Sequence, residues 1–169
     1  MNKELEEIKD YLESIEGPND SILEGVEDQH GTKMWFRRGK LHRREGPAVE
    51  ASDGGKEWYI HGKPHREDGP ACDYANGEKY WYLNGEPHRE GGPAIEWPSG
   101  YQEWWINGQR HREDGPAFIG ELGDKHWYVN DKLHRTDGPA KEFSDGRKEW
   151  WINGEQLTEE EFSHQINRV

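Results

Sequence analysis

The apolar positions of the chain follow two different periods. Residues 2–16 carry an apolar residue every three or four positions, with charged residues between them, which predicts an amphipathic helix. These apolar residues are Leu5, Ile8, Leu12 and Ile15. Further along, pairs of aromatic residues recur every 23 positions, a period typical of repeat proteins whose units bury their apolar sides against one another. The first member of each pair is a tryptophan: Trp35, Trp58, Trp81, Trp104, Trp127 and Trp150.

Each 23-residue unit has the pattern of two short strands. The clearest copy reads Glu-Trp-Trp-Ile-Asn-Gly over 103–108, and an aromatic, β-branched run that ends in Asn-Gly favours a type I′ hairpin. A second turn is expected at glycines that recur with the same period: Gly54, Gly77, Gly100, Gly123 and Gly146. We therefore predict a mainly β protein, an elongated and twisted antiparallel meander of about ten to twelve strands.

A two-residue loop at 107–108 fixes the register of the hairpin. It pairs Trp105 with Arg110. It also pairs Trp104 with His111, and because side chains alternate between faces, the first tryptophan and its histidine share one face. The position after the second aromatic residue is apolar in five of the six units, so we expect this face to be the core. The predicted core residues are Trp58, Trp81, Trp104, Trp127, Trp150, His65, His88, His111 and His134.

The second aromatic residue of each pair and a repeated arginine are expected on the opposite, outward face. The register sets Arg112 against Glu103 as an exposed ion pair. It sets Arg66 against Glu57 in the same way. Arginine beside an aromatic ring stabilises a sheet without any ligand, and it also suits the stacking of a planar group or the anchoring of an anion. The predicted partner- or ligand-binding residues are Tyr59, Tyr82, Trp105, Tyr128, Arg66, Arg89, Arg112 and Arg135.

Helices are predicted at both ends of the repeats. Thr158 and Glu161 stand in the positions of a capping box, which predicts a helix over 159–168. Terminal helices cover strand edges that would otherwise pair with other chains. The N-terminal stripe fits this capping role and also a short coiled coil, which leaves a homodimer open. The chain divides into an acidic N-terminal helix and connector, a repeat array and a capping helix: 1–30, 31–154 and 155–169.

Charge and composition narrow the classes of function. The 169 residues have a formal net charge of −13, most of it at the ends, since residues 1–29 contain 10 acidic and 2 basic residues. Proteins that bind nucleic acid or anionic membranes usually carry a basic surface, so we expect neither partner. No apolar run is long enough to span a membrane and no signal peptide is evident. The single Cys72 fits the reducing cytoplasm.

No residue pattern points to catalysis, a metal or a cofactor. Phosphate-binding loops, nucleophile elbows and zinc-protease motifs are absent from the sequence. The repeated histidines are expected to donate a ring N–H to the backbone, and the glycine of the repeated Gly-Pro-Ala is expected to supply an unusual backbone dihedral. Since every unit offers the same groups, we expect a non-enzymatic binding protein. A phosphodiester hydrolase that uses the repeated histidines is a third, less favoured alternative.

The units resemble MORN-type repeats. The 23-residue period, the aromatic pair, the Asn-Gly turn and the following His-Arg-x-Asp-Gly-Pro-Ala resemble a variant common in phage-encoded and bacterial antitoxin-like proteins, and the resemblance covers 31–154. The ending Trp-Ile-Asn-Gly-Glu at 151–155 is similar to that of many phage proteins. The resemblance implies a twisted antiparallel meander with a binding role. Gly-Pro-Ala replaces the Gly-x-Gly of ordinary MORN units, which argues against their lipid-binding and membrane roles here.

These observations lead to two principal hypotheses. The first is a phage-encoded inhibitor that acts in the host cytoplasm and binds a host defence or toxin component by protein–protein contact. The alternative is a sponge that sequesters a nucleotide signal or another phosphorylated small ligand. Its stacking residues would be Tyr82, Trp105 or Tyr128, and its phosphate-binding residues would be Arg89, Arg112 or Arg135.

Overall fold

The structure, a computed structural model, describes residues 25–167. The helix predicted at 2–16 lies outside the described residues, as does the last residue of the helix predicted at 159–168. The described chain is mainly β and contains 23 short strands and one helix. The predicted antiparallel meander is confirmed.

Thirteen strands form one antiparallel sheet, the main sheet, in their order along the chain. They are β1 (Val26–Glu27), β2 (Lys33–Met34), β5 (Val49–Glu50), β6 (Lys56–Glu57), β9 (Cys72–Asp73), β10 (Lys79–Tyr80), β13 (Ile95–Glu96), β14 (Gln102–Glu103), β17 (Phe118–Ile119), β18 (Lys125–His126), β21 (Lys141–Glu142), β22 (Lys148–Ile152) and β23 (Glu155–Leu157). We number the five complete 23-residue units by their ranges: unit 1 (31–53), unit 2 (54–76), unit 3 (77–99), unit 4 (100–122) and unit 5 (123–145).

Each complete unit also forms a two-stranded hairpin beside the main sheet. The hairpins are β3 (Phe36–Arg37) with β4 (Lys40–Leu41), β7 (Tyr59–Ile60) with β8 (Lys63–Pro64), β11 (Tyr82–Leu83) with β12 (Glu86–Pro87), β15 (Trp105–Ile106) with β16 (Gln109–Arg110), and β19 (Tyr128–Val129) with β20 (Lys132–Leu133). Neighbouring hairpins are bonded to one another: Arg66 N–H donates to the Tyr82 carbonyl at 3.1 Å, and Gly85 N–H donates to the Pro64 carbonyl at 2.9 Å. The hairpins therefore form a second ladder along the array.

A tryptophan marks the point where the chain passes from the main sheet to the hairpin. The N–H of Trp104 donates to the carbonyl of Ala117 at 2.8 Å, whereas its carbonyl accepts from the N–H of His111 at 3.1 Å. The same two bonds recur in the other complete units, at Trp35, Trp58, Trp81 and Trp127. Each predicted strand that contains a tryptophan divides there for this reason, so the predicted number of about ten to twelve strands is too low.

The turns are those that the sequence predicts. Both central residues of every hairpin turn have positive φ, as a type I′ turn requires; Asn107 and Gly108, for example, have φ of 48° and 74°. The turn that lacks glycine has φ of 49° at Asn130 and 60° at Asp131, a conformation that these two residue types tolerate. The glycines of the second turn also have positive φ, between 88° and 96°: Gly54, Gly77, Gly100, Gly123 and Gly146.

The main sheet presents two rows of side chains, one on each face. The inner row consists of Met34, Val49, Glu57, Cys72, Tyr80, Ile95, Glu103, Phe118, His126, Lys141 and Glu149. The charged row on the other face consists of Lys33, Glu50, Lys56, Asp73, Lys79, Glu96, Gln102, Ile119, Lys125, Glu142 and Lys148. Basic and acidic residues alternate along most of the charged row, so opposite charges stand side by side on adjacent strands.

The aromatic pair of unit 1 is oriented opposite to the prediction. Phe36, a second aromatic residue, is 2% exposed and packs with Met34 and Val49 of the inner row. Its neighbour Trp35, a first aromatic residue, is only half-buried, and in the other units both aromatic residues of each pair are half-buried. The second aromatic residues lie on the same face of the chain as the inner row, which they contact in units 1 to 4. We call this side the aromatic face and the side with the first tryptophans the groove face.

The C-terminal end of the meander is capped as predicted. Helix α1 (Glu159–Ile166) begins after Thr158, whose side chain accepts from the N–H of Glu161 at 3.2 Å. Glu161 in turn accepts from the N–H of Thr158 at 2.8 Å, which completes the capping box. Phe162 is buried where the helix contacts β22 and β23, so α1 covers the last strands of the main sheet.

Candidate functional site

Each complete unit carries the same arginine clamp, which consists of the repeated arginine, the tryptophan that it covers and a proline carbonyl. The guanidinium carbon lies 3.7–4.1 Å from the centre of the tryptophan ring, well within the range of a cation–π interaction. The Nη1 atom donates to the carbonyl of the proline four residues on, at 2.9–3.3 Å. The arginine–tryptophan pairs are Arg43–Trp35, Arg66–Trp58, Arg89–Trp81, Arg112–Trp104 and Arg135–Trp127.

The clamps differ in their acidic partners. Three arginines donate from Nε to the aspartate two residues on, at 2.7–2.8 Å: Arg66, Arg112 and Arg135. Three donate from Nη1 to a glutamate of the charged row seven residues on, at 2.8–3.4 Å: Arg43, Arg89 and Arg135. The hydrogen bond from arginine lowers the pKa of each aspartate, Asp68, Asp114 and Asp137, so these carboxylates are ionised at neutral pH.

These contacts correct the predicted cross-strand ion pairs. Arg66 pairs with Asp68 instead of Glu57, and Arg112 pairs with Asp114 instead of Glu103. The hairpin pairing ends at the His111–Trp104 bond, and the N–H of Arg112 donates to the carbonyl of Tyr128 in the next hairpin. The arginine thereby turns to the groove face, onto the tryptophan of its own unit.

The glycine of Gly-Pro-Ala makes room for the guanidinium. A Cβ atom at Gly69 or Gly115 would lie 2.9 Å from the Cζ atom of the clamp arginine, closer than real Cβ atoms approach. Of the five glycines at this position, only Gly46 has a positive φ, +121°. The prediction that this glycine supplies an unusual dihedral is therefore wrong in the other four units. The alanine that follows is fully buried in all five: Ala48, Ala71, Ala94, Ala117 and Ala140.

Open grooves lie between consecutive units on the groove face. The groove between units 4 and 5 encloses about 870 Å³ and has Trp127, Val129 and His134 along one wall. The opposite wall is the Arg-Glu-Asp-Gly-Pro loop at 112–116. Equivalent residues line the grooves between units 2 and 3 and between units 3 and 4. The groove face thus repeats one surface: an aromatic and aliphatic floor with an acidic rim.

The rim carries glutamates that protrude into solvent. Glu67 and Glu113 each have 85% of the side chain exposed, and each lies 3.8 Å from the Nε2 atom of the histidine two residues before it. The clamp arginines are far less accessible, with 19–31% of the side chain exposed. The rim glutamates are therefore more accessible to solvent than the clamp arginines.

The repeated histidines join each unit to the next. Nδ1 of His65 accepts the N–H of Asn84 at 3.0 Å, across 19 residues, and Nδ1 of His88 accepts the N–H of Asn107 at 3.1 Å. The same bond is made by His42 and His134, whereas Nδ1 of His111 lies 3.3 Å from the N–H of Asn130 and 2.9 Å from its Oδ1. The backbone contact was expected, but the ring nitrogen accepts where donation was predicted. The bond requires a neutral imidazole, because a protonated ring has no free acceptor.

The second aromatic residues lie on the aromatic face, away from the clamp side chains. The Tyr59 hydroxyl donates to Glu57 at 2.9 Å, and Tyr82 stacks on Tyr80 with ring centres 6.4 Å apart. Burial raises the pKa of Tyr82. Tyr128 packs edge-on to His126. The structure thus separates the predicted binding residues: Arg66, Arg89, Arg112 and Arg135 meet the first tryptophans and histidines, whereas Tyr59, Tyr82, Trp105 and Tyr128 lie on the other face.

The aromatic face of unit 4 holds a cluster that the sequence reasoning missed. Glu103 is 3% exposed and accepts from the Tyr101 hydroxyl at 2.5 Å and from the Trp105 indole N–H at 2.6 Å. Arg110 donates to the same carboxylate at 3.3 Å and lies over the rings of Trp105 and Tyr128. A signal was present, since the position of Arg110 is leucine or proline in the other complete units. Burial of Glu103 keeps substrates away from its carboxylate, which favours a structural role.

No group of three or more His, Cys, Asp or Glu side chains within 25–167 is arranged to hold a metal ion. Within the same range, no helix is long and apolar enough to cross a membrane.

Comparison with known proteins adds no family to this description. No family model matches the chain, and no curated protein matches it either.

Proposed function

We propose that this chain is a non-catalytic binding protein that engages a protein partner along the row of grooves on its groove face. One observation carries the proposal: equivalent grooves recur between consecutive units, each with a half-buried tryptophan, an aliphatic residue and exposed acids. Aromatic residues with a polar rim are typical of protein interfaces. A partner that spans several grooves gains affinity from each of them.

The clamp contacts favour a protein over a nucleotide as the ligand. A nucleotide sponge needs arginines that can turn to a phosphate beside an open aromatic ring. Here each clamp arginine already covers a tryptophan and bonds a proline carbonyl, and the tyrosines lie on the other face. The exposed rim glutamates also repel phosphate. These features suit lysine, arginine and apolar side chains of a protein.

The resemblance to phage-encoded antitoxin-like repeats supports a particular class of partner, a host defence or toxin component that is inhibited by occupancy. The corresponding site of action is the host cytoplasm, with which the free and buried Cys72 is consistent. The non-catalytic assignment is supported by the clamp, in which repeated polar groups hold one another.

Charge reversal on the rim tests the proposal. The tagged full chain would be used to capture partners from a bacterial lysate, in parallel with a Glu67→Arg/Glu113→Arg variant. The matched control, Glu121→Arg/Glu155→Arg, changes the net charge equally at exposed positions that do not line these three grooves. We expect one protein at near-stoichiometric yield with wild type and control and at least a tenfold loss with the rim variant. Equal capture by both variants, or no stoichiometric protein, contradicts the proposal.

The nucleotide alternative is tested separately. Thermal unfolding of the wild-type chain would be followed with mono-, di- and cyclic nucleotides at millimolar concentration. We expect no change in melting temperature, and a saturable rise with one nucleotide would replace the protein-binding proposal.

A further inference from the structure

One unit departs from the others at the acidic position of the clamp. The residue two positions after the clamp arginine is Asp68, Asp114 or Asp137 in units 2, 4 and 5, and Glu45 in unit 1. In unit 3 it is Gly91. Unit 3 is therefore the only complete unit whose own chain supplies no carboxylate at this position.

The rest of the clamp is intact in unit 3. The guanidinium of Arg89 lies 3.7 Å from the centre of the Trp81 ring, and its Nη1 donates to Pro93 at 2.9 Å. A Cβ atom at Gly92 would lie 3.0 Å from Cζ of Arg89, and the equivalent distance in units 2 and 4 is 2.9 Å. Arg89 thus makes the same cation–π contact and the same proline bond as the clamp arginines that bind a carboxylate through Nε.

Unit 5 shows that this orientation accommodates two carboxylates at once. Arg135 donates from Nη1 to Glu142 at 2.8 Å and from Nε to Asp137 at 2.7 Å. Arg89 has the first partner, since its Nη1 donates to Glu96 at 3.4 Å. Among the described residues, no acceptor is found for its Nε, and 31% of its side chain is exposed. The contact with Glu96 therefore leaves the Nε side of the guanidinium free for a second acid.

We propose that Arg89 is a preformed receptor for a carboxylate of a bound partner, the side chain of an aspartate or glutamate. The partner's acid takes the place that Asp68 and Asp114 take beside Arg66 and Arg112. The guanidinium is held before binding, so little side-chain entropy is lost when the acid arrives. The inference deepens the proposed function, and it rests on that function only for the statement that the carboxylate belongs to a protein.

The surroundings favour a single carboxylate over a phosphate. Gly91 makes the loop of unit 3 neutral, with Arg89 against Glu90, whereas the loops of units 2 and 4 carry one additional negative charge. A bound carboxylate gives the loop of unit 3 the same net charge as the loops of units 2 and 4. A phosphate brings nearly twice the charge to a groove that Glu90, Glu113 and Asp114 already line.

The site is tested by the side-chain Nε–H signals of arginine in ¹H–¹⁵N NMR spectra of the full chain. The probe is blocked aspartate (N-acetyl-aspartate N-methylamide), and the matched neutral compound is blocked asparagine. We expect the Arg89 signal, assigned through Arg89→Lys, to move saturably toward the position of the Arg66 signal. The signals of Arg66, Arg112 and Arg135 should move by less than a quarter as much.

Exchanging residues between units provides the controls. Gly91→Asp makes the loop of unit 3 identical in sequence to the loops of units 2 and 4. Gly91 has a positive φ, but the aspartates at this position in those units do not, so the variant loop can adopt their backbone conformation. In Gly91→Asp the Arg89 signal should start near that of Arg66 and ignore the probe. In Asp68→Gly the Arg66 signal should acquire the response.

Three results would overturn the inference. They are no response of Arg89 to blocked aspartate, an equal response in Gly91→Asp, and an equal response to blocked asparagine. A larger response to inorganic phosphate than to the carboxylate at equal concentration would replace the acidic side chain with a phosphorylated ligand. Lysate capture by wild type and Gly91→Asp separates this inference from the proposed function. If the chain captures a protein but Arg89 gives no NMR response, only the receptor inference is contradicted. If Arg89 responds but no protein is captured, only the protein-binding proposal is contradicted.

Discussion

The groove face and the aromatic face use the same 23-residue period in opposite ways. On the groove face every complete unit repeats one set of contacts: arginine over tryptophan, Nη1 to the proline carbonyl and histidine Nδ1 to the next turn. On the aromatic face the equivalent inner-row position varies among the units and is Met34, Glu57, Tyr80, Glu103 and His126 in turn. Identical contacts build a scaffold of any length, whereas only contacts that differ can distinguish one unit from another.

The largest expected loss of stability comes from a substitution on the aromatic face of unit 4. Glu103→Ala removes one partner of a buried ion pair and leaves Arg110 uncompensated. Such losses cost about 3–5 kcal/mol, and we expect about 3 kcal/mol because Arg110 is 35% exposed and turns toward water. The equivalent Glu57→Ala should cost about 1 kcal/mol, since the Tyr59 hydroxyl loses its acceptor. Urea unfolding measures both, and equal losses would contradict the view that this face differs from unit to unit.

The next effect tests repetition on the groove face. Arg112→Ala removes the cation–π contact with Trp104 and the bond to Pro116, with an expected loss of about 2 kcal/mol. Arg66→Ala should cost the same to within about 0.5 kcal/mol, because its clamp is the same. Arg112→Lys should recover little, since lysine lacks the planar guanidinium. A wide gap between the two alanine variants in urea unfolding would show that the clamps are not equivalent.

Acid should weaken contacts on both faces. Burial lowers the pKa of His42, with further contributions from His61, Arg37 and Arg44, and burial and Lys141 lower that of His126. The folded chain therefore binds these protons less readily than the unfolded chain. Their stabilisation is complete above the ordinary histidine pKa of about 6.5 and is lost as the pH falls through the lower, folded pKa.

We accordingly expect a smaller free energy of unfolding at pH 5 than at pH 7.5, with a slope of at most about 1.4 kcal/mol per pH unit for each histidine. The clamp aspartates do not contribute in this window, because their lowered pKa values keep them ionised. His42→Gln keeps an acceptor for the N–H of His61 and should flatten the slope. Stability that holds or rises down to pH 5 would refute this account.

The smallest expected effect concerns the aspartate of the clamp. Asp114→Asn removes the ion pair with Arg112 but leaves the stacking and the proline contact. Unfolding should shift only slightly toward lower urea, because the side chain of Asp114 is 86% exposed. The sharper measurement is the Nε–H signal of Arg112, which should move toward that of Arg89. An unchanged signal would mean that Asp114 does not hold the guanidinium in solution.

Local chemistry made much of the fold predictable. The type I′ turns at 107–108 and its equivalents follow from residues that tolerate positive φ, and the helix at Thr158 follows from its capping box. The break at each tryptophan was not predictable, because the bond from Trp104 to Ala117 depends on the position of a neighbouring strand. A period of two alone could not show that the strand changes partners there.

The candidate site was only partly predictable for a related reason. The arginines were singled out correctly as a repeated surface feature, but extending the hairpin register to Arg112 placed them on the wrong face. The spacing did contain a local signal, since Arg112 and Asp114 are two residues apart in a loop beside a glycine. The cluster at Glu103 could have been found only by comparing the units position by position, because the residue that sets unit 4 apart is Arg110.

The paired hydrogen bonds of the tryptophans have a consequence for how such a chain changes length. Each tryptophan bonds residues 13 and 7 positions ahead, and each histidine bonds a turn 19 positions ahead, in every complete unit. Loss of one 23-residue block, such as 100–122, would bring unit 3 against unit 5 with those offsets preserved. The average loop that must close during folding would then stay constant as blocks are gained or lost. Gain or loss of whole blocks would therefore change the number of grooves while the fold of each unit stays the same. The length of partner that the chain can span would change with it.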